Sequence, residues 1–309
     1  MSNFCYCCGK PLENGKYHPS CIRKFFGTTV IPKIEINKEI LEEQALQFVK
    51  KNQTVTGVQK KLSLHLDSSG KSPRLTLVGY PAGYILKPES SEYPFLPQSE
   101  FVVMKLAEMF KIRTVPSMLL ELEDGSFAYI TKRIDRDGDR KIHMEDFCQL
   151  SERLTEDKYK GSYEQCGKII SKYSAIPLAD KTDFFNRVFF SWLMGNNDMH
   201  LKNFSLIQNE SGFVLSPAYD LLPVRLVAPF DTEELALNLN GKKNRIKKSD
   251  FLSLAKSLEI SETVAEKMMN RALETLGKIN MDFVKFFLGE EKCGDFKKML
   301  FEKISVMAE

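Results

Sequence analysis

Apolar residues alternate with polar residues in the first half of this chain and recur at helical spacing in the second half. Alternation predicts a strand at 62–66, and a short apolar run predicts a second strand at 83–88. A hairpin is predicted at 115–131, with its turn at Asp124-Gly125. An amphipathic helix is predicted within 32–51. From residue 145 onward, the three- and four-residue spacing predicts helices at 145–153, 162–173, 178–194, 248–258 and 261–276. The pattern therefore predicts an α+β chain in which a small part with an antiparallel sheet precedes a mostly helical part.

A polar loop at residues 195–203 interrupts the helical half. It follows the most apolar predicted helix and precedes a short predicted strand at 204–207. Within it, Asp198 and Asn203 are separated by four residues, the spacing of a kinase catalytic loop. In that chemistry the Asp accepts the proton of the substrate hydroxyl, and the Asn amide oxygen holds a metal ion. A capped turn between helix and strand is the alternative, because Asp and Asn favour turns.

Two other segments supply the groups that phosphate chemistry needs. Lys87 lies near the end of the strand at 83–88, and Glu100 opens a predicted helix. Kinases align the phosphates of a nucleotide through such a lysine–glutamate ion pair. Asp220 follows a predicted strand at 212–215, from which its carboxylate can join Asn203 on one Mg²⁺ ion. Structural alternatives are a favourable charge near a helix N-terminus for Glu100 and a turn for Asp220.

A loop rich in hydroxyl groups and lysine precedes the strand at 62–66. It runs from Asn52 to Lys61 and contains one glycine, Gly57. Its backbone N–H groups can bind phosphate, although the sequence is neither a Walker A loop nor the glycine-rich loop of protein kinases. A polar hairpin edge is the structural alternative.

Cysteine and histidine cluster at the start of the chain, where residues 1–27 are predicted to form a small separate module. Cys5 and Cys8 form one pair, and His18 and Cys21 form a second. Two such pairs suit tetrahedral zinc in a structural site. Cys7 is an alternative ligand, and a leader with reduced thiols and no metal is an equal alternative.

Charge and composition narrow the classes of function. The chain has 44 basic and 41 acidic residues. Its net charge of +3 does not create an overall positive potential that would attract nucleic acid. The basic run at 241–248 is a solvated loop or a contact for an acidic partner or DNA phosphates. No apolar run approaches the length of a membrane helix, and the first residues lack a signal-peptide pattern. We therefore expect a cytoplasmic protein with no membrane contact.

Five short segments together resemble the HipA family of bacterial toxin kinases. Asp-x-His-x-Lys-Asn-Phe-Ser, which begins at Asp198, is the most specific of them. The others are Thr-Gly-Val-Gln-Lys-Lys from Thr56, Lys-Arg-Ile-Asp-Arg from Lys132, Glu-Asp-Phe-Cys-Gln from Glu145, and Tyr219-Asp220. The resemblance covers about residues 50–225 and implies a bilobed, protein-kinase-like fold. It divides the chain into a Cys/His-rich leader at 1–28, an N-lobe at 29–134 and a helical C-lobe at 135–309.

The resemblance also implies a role for each candidate site residue. Asp198 would be the catalytic base, and Asn203 and Asp220 would ligate Mg²⁺. Lys87 would hold the phosphates of ATP, with His200 close to them, and backbone groups of Lys132 and Ile134 would bind adenine. The residues of the loop that would cover the phosphates are Thr56, Gly57, Val58, Gln59, Lys60 and Lys61.

Family membership would make this protein the serine/threonine kinase toxin of a toxin–antitoxin system. The resemblance implies an aminoacyl-tRNA synthetase as substrate, translation inhibition as outcome, and regulation by autophosphorylation of Thr54 and Thr56. A helix-turn-helix antitoxin would link the protein to DNA indirectly. The segment before the phosphate loop is short, as in the HipT branch, where a separate small protein can supply the missing N-terminal subdomain. The alternatives are a non-catalytic, pseudokinase-like scaffold in a repressor complex and a small-molecule kinase.

Overall fold

The computed structural model describes residues 3–34, 61–68, 70, 72–89, 92–138, 140–228 and 232–308. The loop residues Thr54 to Lys60 and most of the helix predicted within 32–51 lie outside the described residues. The chain divides into two compact units. The first comprises Met1–Phe101 and Pro116–Arg140, and the second comprises Val102–Val115 and Lys141–Glu309.

The elements in chain order are as follows. The strands are β1 (Asn3–Phe4), β2 (Pro11–Leu12), β3 (Lys33–Ile34), β4 (Leu62–Asp67), β5 (Arg74–Leu77), β6 (Tyr84–Pro88), β7 (Ser117–Glu121), β8 (Phe127–Lys132), β9 (Arg136–Asp137), β10 (Arg140–Lys141), β11 (Met144–Asp146), β12 (Ser205–Asn209) and β13 (Gly212–Leu215). The helices are α1 (Pro19–Phe26), α2 (Leu96–Met109), α3 (Phe147–Leu150), α4 (Tyr163–Tyr173), α5 (Pro177–Leu193), α6 (Val224–Val227), α7 (Lys248–Ser257), α8 (Glu262–Leu276) and α9 (Met281–Ala308), with 3₁₀ turns at Thr155–Asp157 and Leu201–Asn203.

A six-stranded sheet forms the centre of the first unit. Its strand order is β3-β5-β4-β6-β8-β7, and every pair is antiparallel except β3 with β5. The alternation that predicts β4 has its physical cause here, because Leu62 and Leu64 are buried while Ser63 between them is half-exposed. The predicted hairpin is confirmed as β7–β8, with Gly125 in the left-handed backbone region at φ 82°.

The Cys/His segment shares the core of this first unit. Phe25 and Phe26 of α1 are buried in the same apolar cluster as the sheet residues. The Leu119 amide donates to the Tyr6 carbonyl at 2.8 Å, and the Tyr17 hydroxyl donates to the Leu119 carbonyl at 2.9 Å. Because β7 is the last strand of the sheet, these bonds attach the segment to a sheet edge. The domain boundaries at residues 28 and 134 stay predictions.

Helices dominate the second unit, with α5 at its core. Its side chains Phe184, Phe185, Phe189, Phe190 and Trp192 are all buried. The predicted helices at 162–173, 178–194, 248–258 and 261–276 are confirmed as α4, α5, α7 and α8. None of the helices in the described parts of the chain combines the length and the apolar character needed to cross a bilayer.

The helix predicted at 145–153 is wrong for most of its length. Met144–Asp146 forms β11, which pairs with β12, and only Phe147–Leu150 is helical. Asp146 caps this short helix by accepting from the Gln149 amide, while the Gln149 side chain accepts from the Asp146 amide. The local sequence therefore favours a helix that begins at Phe147, whereas residues 144–146 form a strand because they pair with β12.

Candidate active site

The polar loop begins where α5 ends and is held in a shape that requires glycine. Gly195 has φ 65°, and a Cβ atom there would come within 2.5 Å of Met299 Sδ. The Asn196 amide donates to the Ser191 carbonyl at 2.8 Å, which folds the loop back on the end of the helix. The loop then passes through the 3₁₀ turn Leu201–Asn203 and enters β12.

Asp198 and Asn203, which the sequence pairs by spacing, are joined directly. The Asn203 Nδ2 group donates to the Asp198 carbonyl at 2.9 Å, and the His200 amide donates to the same oxygen at 2.8 Å. The Asp198 amide in turn donates to Asn196 Oδ1 at 3.2 Å. Because the amide nitrogen of Asn203 is already engaged, its Oδ1 is the atom that suits a cation.

Tyr159 is a member of the site that the sequence did not reveal. Its hydroxyl donates to Asp198 Oδ1 at 2.6 Å. Its ring packs edge-on against His200, with the ring centroids 5.0 Å apart. The two residues of the hydrogen bond are 39 positions apart in the chain, so no local motif links them.

His200 is buried beside two carboxylates and is neutral near pH 7. Burial lowers the pKa of His200 to about 4, and it outweighs the charges of Asp198 and Asp220, which act in the opposite direction. Its Nδ1 atom has no hydrogen-bond partner within the part of the chain that the structure describes. A neutral imidazole here can hydrogen-bond a ligand but cannot supply a positive charge.

Asp220 lies on a segment that is tied to the residues around Asn203. The Tyr219 hydroxyl donates to the Lys202 carbonyl at 3.0 Å and lies 2.5 Å from Ser205 Oγ. Asp220 itself has φ 60°, in the left-handed region that non-glycine residues seldom adopt. Amide and carboxylate oxygens of this kind are the ligands that Mg²⁺ prefers, so the donor set of Asn203 and Asp220 fits that ion.

Buried polar contacts anchor the other side of the loop. The Asn197 Nδ2 group donates to the Glu233 carbonyl at 2.9 Å. The neighbouring Glu234 carboxylate accepts from Trp192 Nε1 at 2.7 Å and from Lys303 Nζ at 2.8 Å. Lys303 is on α9 and is only 3% exposed. The polar loop is therefore connected to the last helix through Glu233 and Glu234.

The first unit contains the predicted lysine–glutamate pair. Lys87 Nζ lies 2.6 Å from Glu100 Oε1, and the two side chains are 4% and 0% exposed. The ion pair is confirmed, but α2 begins at Leu96, so Glu100 follows the helix start by one turn. Lys87 Nζ also lies 5.4 Å from the centre of the Tyr129 ring. The carboxylate and the ring together fix the position of the Lys87 amino group.

Of the remaining candidate nucleotide-binding residues, the structure describes Lys61, Lys132 and Ile134. The Lys132 amide donates to the Pro116 carbonyl at 3.0 Å, so this N–H group is engaged within the sheet. Partial burial lowers the pKa of Lys132. Ile134 is half-buried beyond the end of β8, and Lys61 is exposed directly before β4. Thr54, Thr56, Gly57, Val58, Gln59 and Lys60 lie outside the described residues.

Cys5, Cys8, His18 and Cys21 converge as the sequence pattern predicts. Their ligand atoms all lie within 4.8 Å of one another. The β1–β2 turn, with Gly9 at φ 68°, places the first pair, and the start of α1 after His18 places the second. His18 Nδ1 lies 3.4 Å from Cys8 Sγ and 3.9 Å from Cys21 Sγ. Zinc binds thiolate sulfur at about 2.3 Å and imidazole nitrogen at about 2.0 Å, so the ligand atoms of a tetrahedral site lie about 4 Å apart. The spacing of this cluster therefore fits zinc.

Comparison with known proteins identifies the family. A family model for the HipA-like C-terminal domain matches residues 53–279. The chain belongs to this family. The Cys/His cluster and the whole of α9 lie outside the matched range.

Two relatives illustrate how far the likeness to this HipA-like protein extends. It is 32% identical over 253 residues to the Y4dM protein of Sinorhizobium fredii, in an alignment that covers 76% of this chain and 61% of that protein. It is 27% identical over 211 residues to the serine/threonine-protein kinase toxin HipA of Shewanella oneidensis, covering 61% and 47% of the two chains. The alignments thus span less than two thirds of these relatives.

Solved structures confirm the fold of this HipA-like protein. HipA of Shewanella oneidensis, solved with HipB and operator DNA, superposes with a TM-score of 0.66 at 20% identity, covering 86% of this chain and 70% of that chain. The proinflammatory kinase CtkA of Helicobacter pylori gives a TM-score of 0.50 at 15% identity, covering 79% and 93%. The predicted α+β, protein-kinase-like fold is therefore confirmed.

Proposed function

We propose that this protein is an ATP-dependent serine/threonine protein kinase. The observation that carries the proposal is the geometry of the polar loop. The Asn203 side chain donates a hydrogen bond to the backbone carbonyl of Asp198, and the Asp198 carboxylate accepts a hydrogen bond from the hydroxyl group of Tyr159. A scaffold without catalysis needs neither arrangement. The buried Lys87–Glu100 pair in the first unit supports the same function.

Each residue has a defined task in this proposal. The Asp198 carboxylate receives the proton of the substrate hydroxyl as that oxygen attacks the γ-phosphorus of ATP, and ADP leaves. Lys87 holds phosphate oxygens, and neutral His200 donates or accepts a hydrogen bond close to them. Asn203 and Asp220 would hold Mg²⁺, which supplies positive charge to the phosphates when it is bound.

The biological role that we propose is that of a toxin in a toxin–antitoxin system. Support comes from family membership and from the HipA relative, whose structure contains HipB and operator DNA. We propose a helix-turn-helix protein as antitoxin, with DNA contact through it, and a separate small protein as a further partner. An aminoacyl-tRNA synthetase is the proposed substrate, with inhibition of translation as the result and autophosphorylation of Thr54 and Thr56 as the control.

Labelled ATP tests this function directly. The protein is incubated with γ-labelled ATP, Mg²⁺ and a bacterial lysate, and labelled proteins are identified by mass spectrometry. We expect phosphoserine or phosphothreonine on one dominant protein and on the kinase itself. Label that appears only in small molecules would favour a small-molecule kinase. Absence of all transfer, with no nucleotide-dependent thermal stabilisation, would favour the scaffold.

We further propose that Cys5, Cys8, His18 and Cys21 hold a structural zinc ion. The convergence of four soft or borderline donors supports zinc, and their place beside the β7 edge indicates a stabilising role. Three thiolates and one imidazole fill a tetrahedral coordination sphere, so no position is left for a substrate.

Purified protein should therefore contain about one equivalent of zinc. Cys8→Ser should remove most of it and lower the thermal midpoint, because an ion that binds only the folded state stabilises that state. Metal analysis and thermal unfolding measure both effects. Cys7→Ser is the matched control, since Cys7 is adjacent to Cys8 but outside the four-residue cluster. Equal zinc loss in both variants, or less than about half an equivalent in the unsubstituted protein, would contradict the site.

A further inference from the structure

Tyr159 places a hydroxyl group where a substrate hydroxyl has to lie. Its Oη atom is a donor to Asp198 Oδ1 at 2.6 Å, which is hydrogen-bonding distance for a general base and the group that it deprotonates. An acceptor serine or threonine makes the same contact at the moment of transfer. A phenol bonded to this oxygen occupies the place of the acceptor hydroxyl and fills space at the carboxylate.

The surroundings of Tyr159 allow the side chain to leave without unfolding the loop. The residue is 42% exposed, and it lies between the 3₁₀ turn Thr155–Asp157 and the start of α4. The backbone is fixed just before it, because the Lys158 carbonyl accepts from the Leu201 amide at 3.1 Å. Rotation of one side chain can therefore vacate the carboxylate, and the contacts that it breaks include the hydrogen bond to Asp198, the edge contact with His200 and the contact with Lys158 Nζ, which lies 4.9 Å from the ring centroid.

We propose that Tyr159 is a built-in competitor of the protein substrate, which occupies Asp198 until a serine or threonine hydroxyl displaces it. This inference rests on the proposed kinase function and adds a residue that controls access to its base. It has a second consequence. Water is as small as a hydroxyl group and can also take the place on Asp198, so Tyr159 suppresses ATP hydrolysis while no acceptor is bound.

Replacement of Tyr159 by phenylalanine tests the competition. The variant removes the hydroxyl and keeps the ring against His200, so we expect the fold and the thermal midpoint to be unchanged. With dephosphorylated casein as the acceptor, the KM for casein should fall about ten-fold, which corresponds to about 1.4 kcal/mol. The KM for ATP should stay the same, and ATP hydrolysis without casein should rise.

Tyr173→Phe is the matched control, because Tyr173 is similarly exposed at 37% and lies at the end of α4 in the same unit. It should change none of these values. A lower kcat at unchanged KM for casein in Tyr159→Phe would mean that Tyr159 supports Asp198, and would overturn the proposal. Unchanged kinetics, or phosphate found on Tyr159 itself, would also overturn it. Loss of transfer in the unsubstituted protein would instead refute the kinase function, and the competition with it.

Discussion

Asp198→Asn should reduce phosphotransfer about a thousand-fold, within the usual range for loss of a general base. Asparagine has nearly the shape of aspartate, and its amide oxygen can still accept from the Tyr159 hydroxyl at the position of Oδ1. The backbone carbonyl that Asn203 and His200 bond is also retained. The loop should therefore keep its form while the ability to receive a proton is lost. Steady-state transfer to casein and autophosphorylation measure the effect.

The control for this variant is Asp295→Asn, which removes an exposed carboxylate of α9 in the same unit. Its activity should match that of the unsubstituted protein. Thermal unfolding of both variants should also match. An Asp198→Asn protein that is folded and still transfers phosphate at more than a tenth of the normal rate would exclude Asp198 as the base.

Lys87→Met should destabilise the first unit by about 3–5 kcal/mol, the usual cost of removing one partner of a buried ion pair. Lys87 and Glu100 are almost completely buried, so the Glu100 carboxylate cannot be rehydrated without opening the unit. Urea unfolding combined with hydrogen exchange of the β6 and β8 amides measures the loss where it occurs. ATP binding should be lost as well.

The double variant Lys87→Met, Glu100→Leu separates the two effects. An apolar pair of similar volume also removes the buried carboxylate that has lost Lys87, so stability should return to near that of the unsubstituted protein, while phosphotransfer stays absent. Lys16→Met is the control within the same unit, because Lys16 and its partner Glu121 are 50% and 30% exposed and surface pairs contribute little. Activity in the double variant would show that the pair is structural and has no part in holding phosphate.

Elements whose pattern is set by their own residues were predictable from the sequence. The apolar residues of α5 recur at helical spacing because one helix faces a single core, and the β7–β8 turn needs only Asp124 and Gly125. β11 was missed because its pairing with β12 joins residues that are far apart in the chain. Helix α9 was missed because Gly289, at φ 81°, interrupts its apolar pattern with a kink.

The same distinction applies to the candidate site. Asp198 and Asn203 are only five positions apart in one loop, so their spacing alone predicts that they come into contact. Lys87 and Glu100 are on consecutive elements of a strand–helix unit, and their pairing followed from that order. Tyr159 and Glu233 reach the loop from 39 and 36 residues away, respectively. Tertiary packing alone brings them there, and their own segments carry no motif.

The bond between Lys303 and Glu234 also bears on when the loop can form during protein synthesis. Glu234 is next to the residue that holds Asn197, and its half-buried carboxylate obtains its cationic partner from α9. A nascent chain in which α9 is still inside the ribosome lacks that partner, and the carboxylate must stay hydrated. The second unit therefore reaches its final form only after Lys303 has left the ribosome.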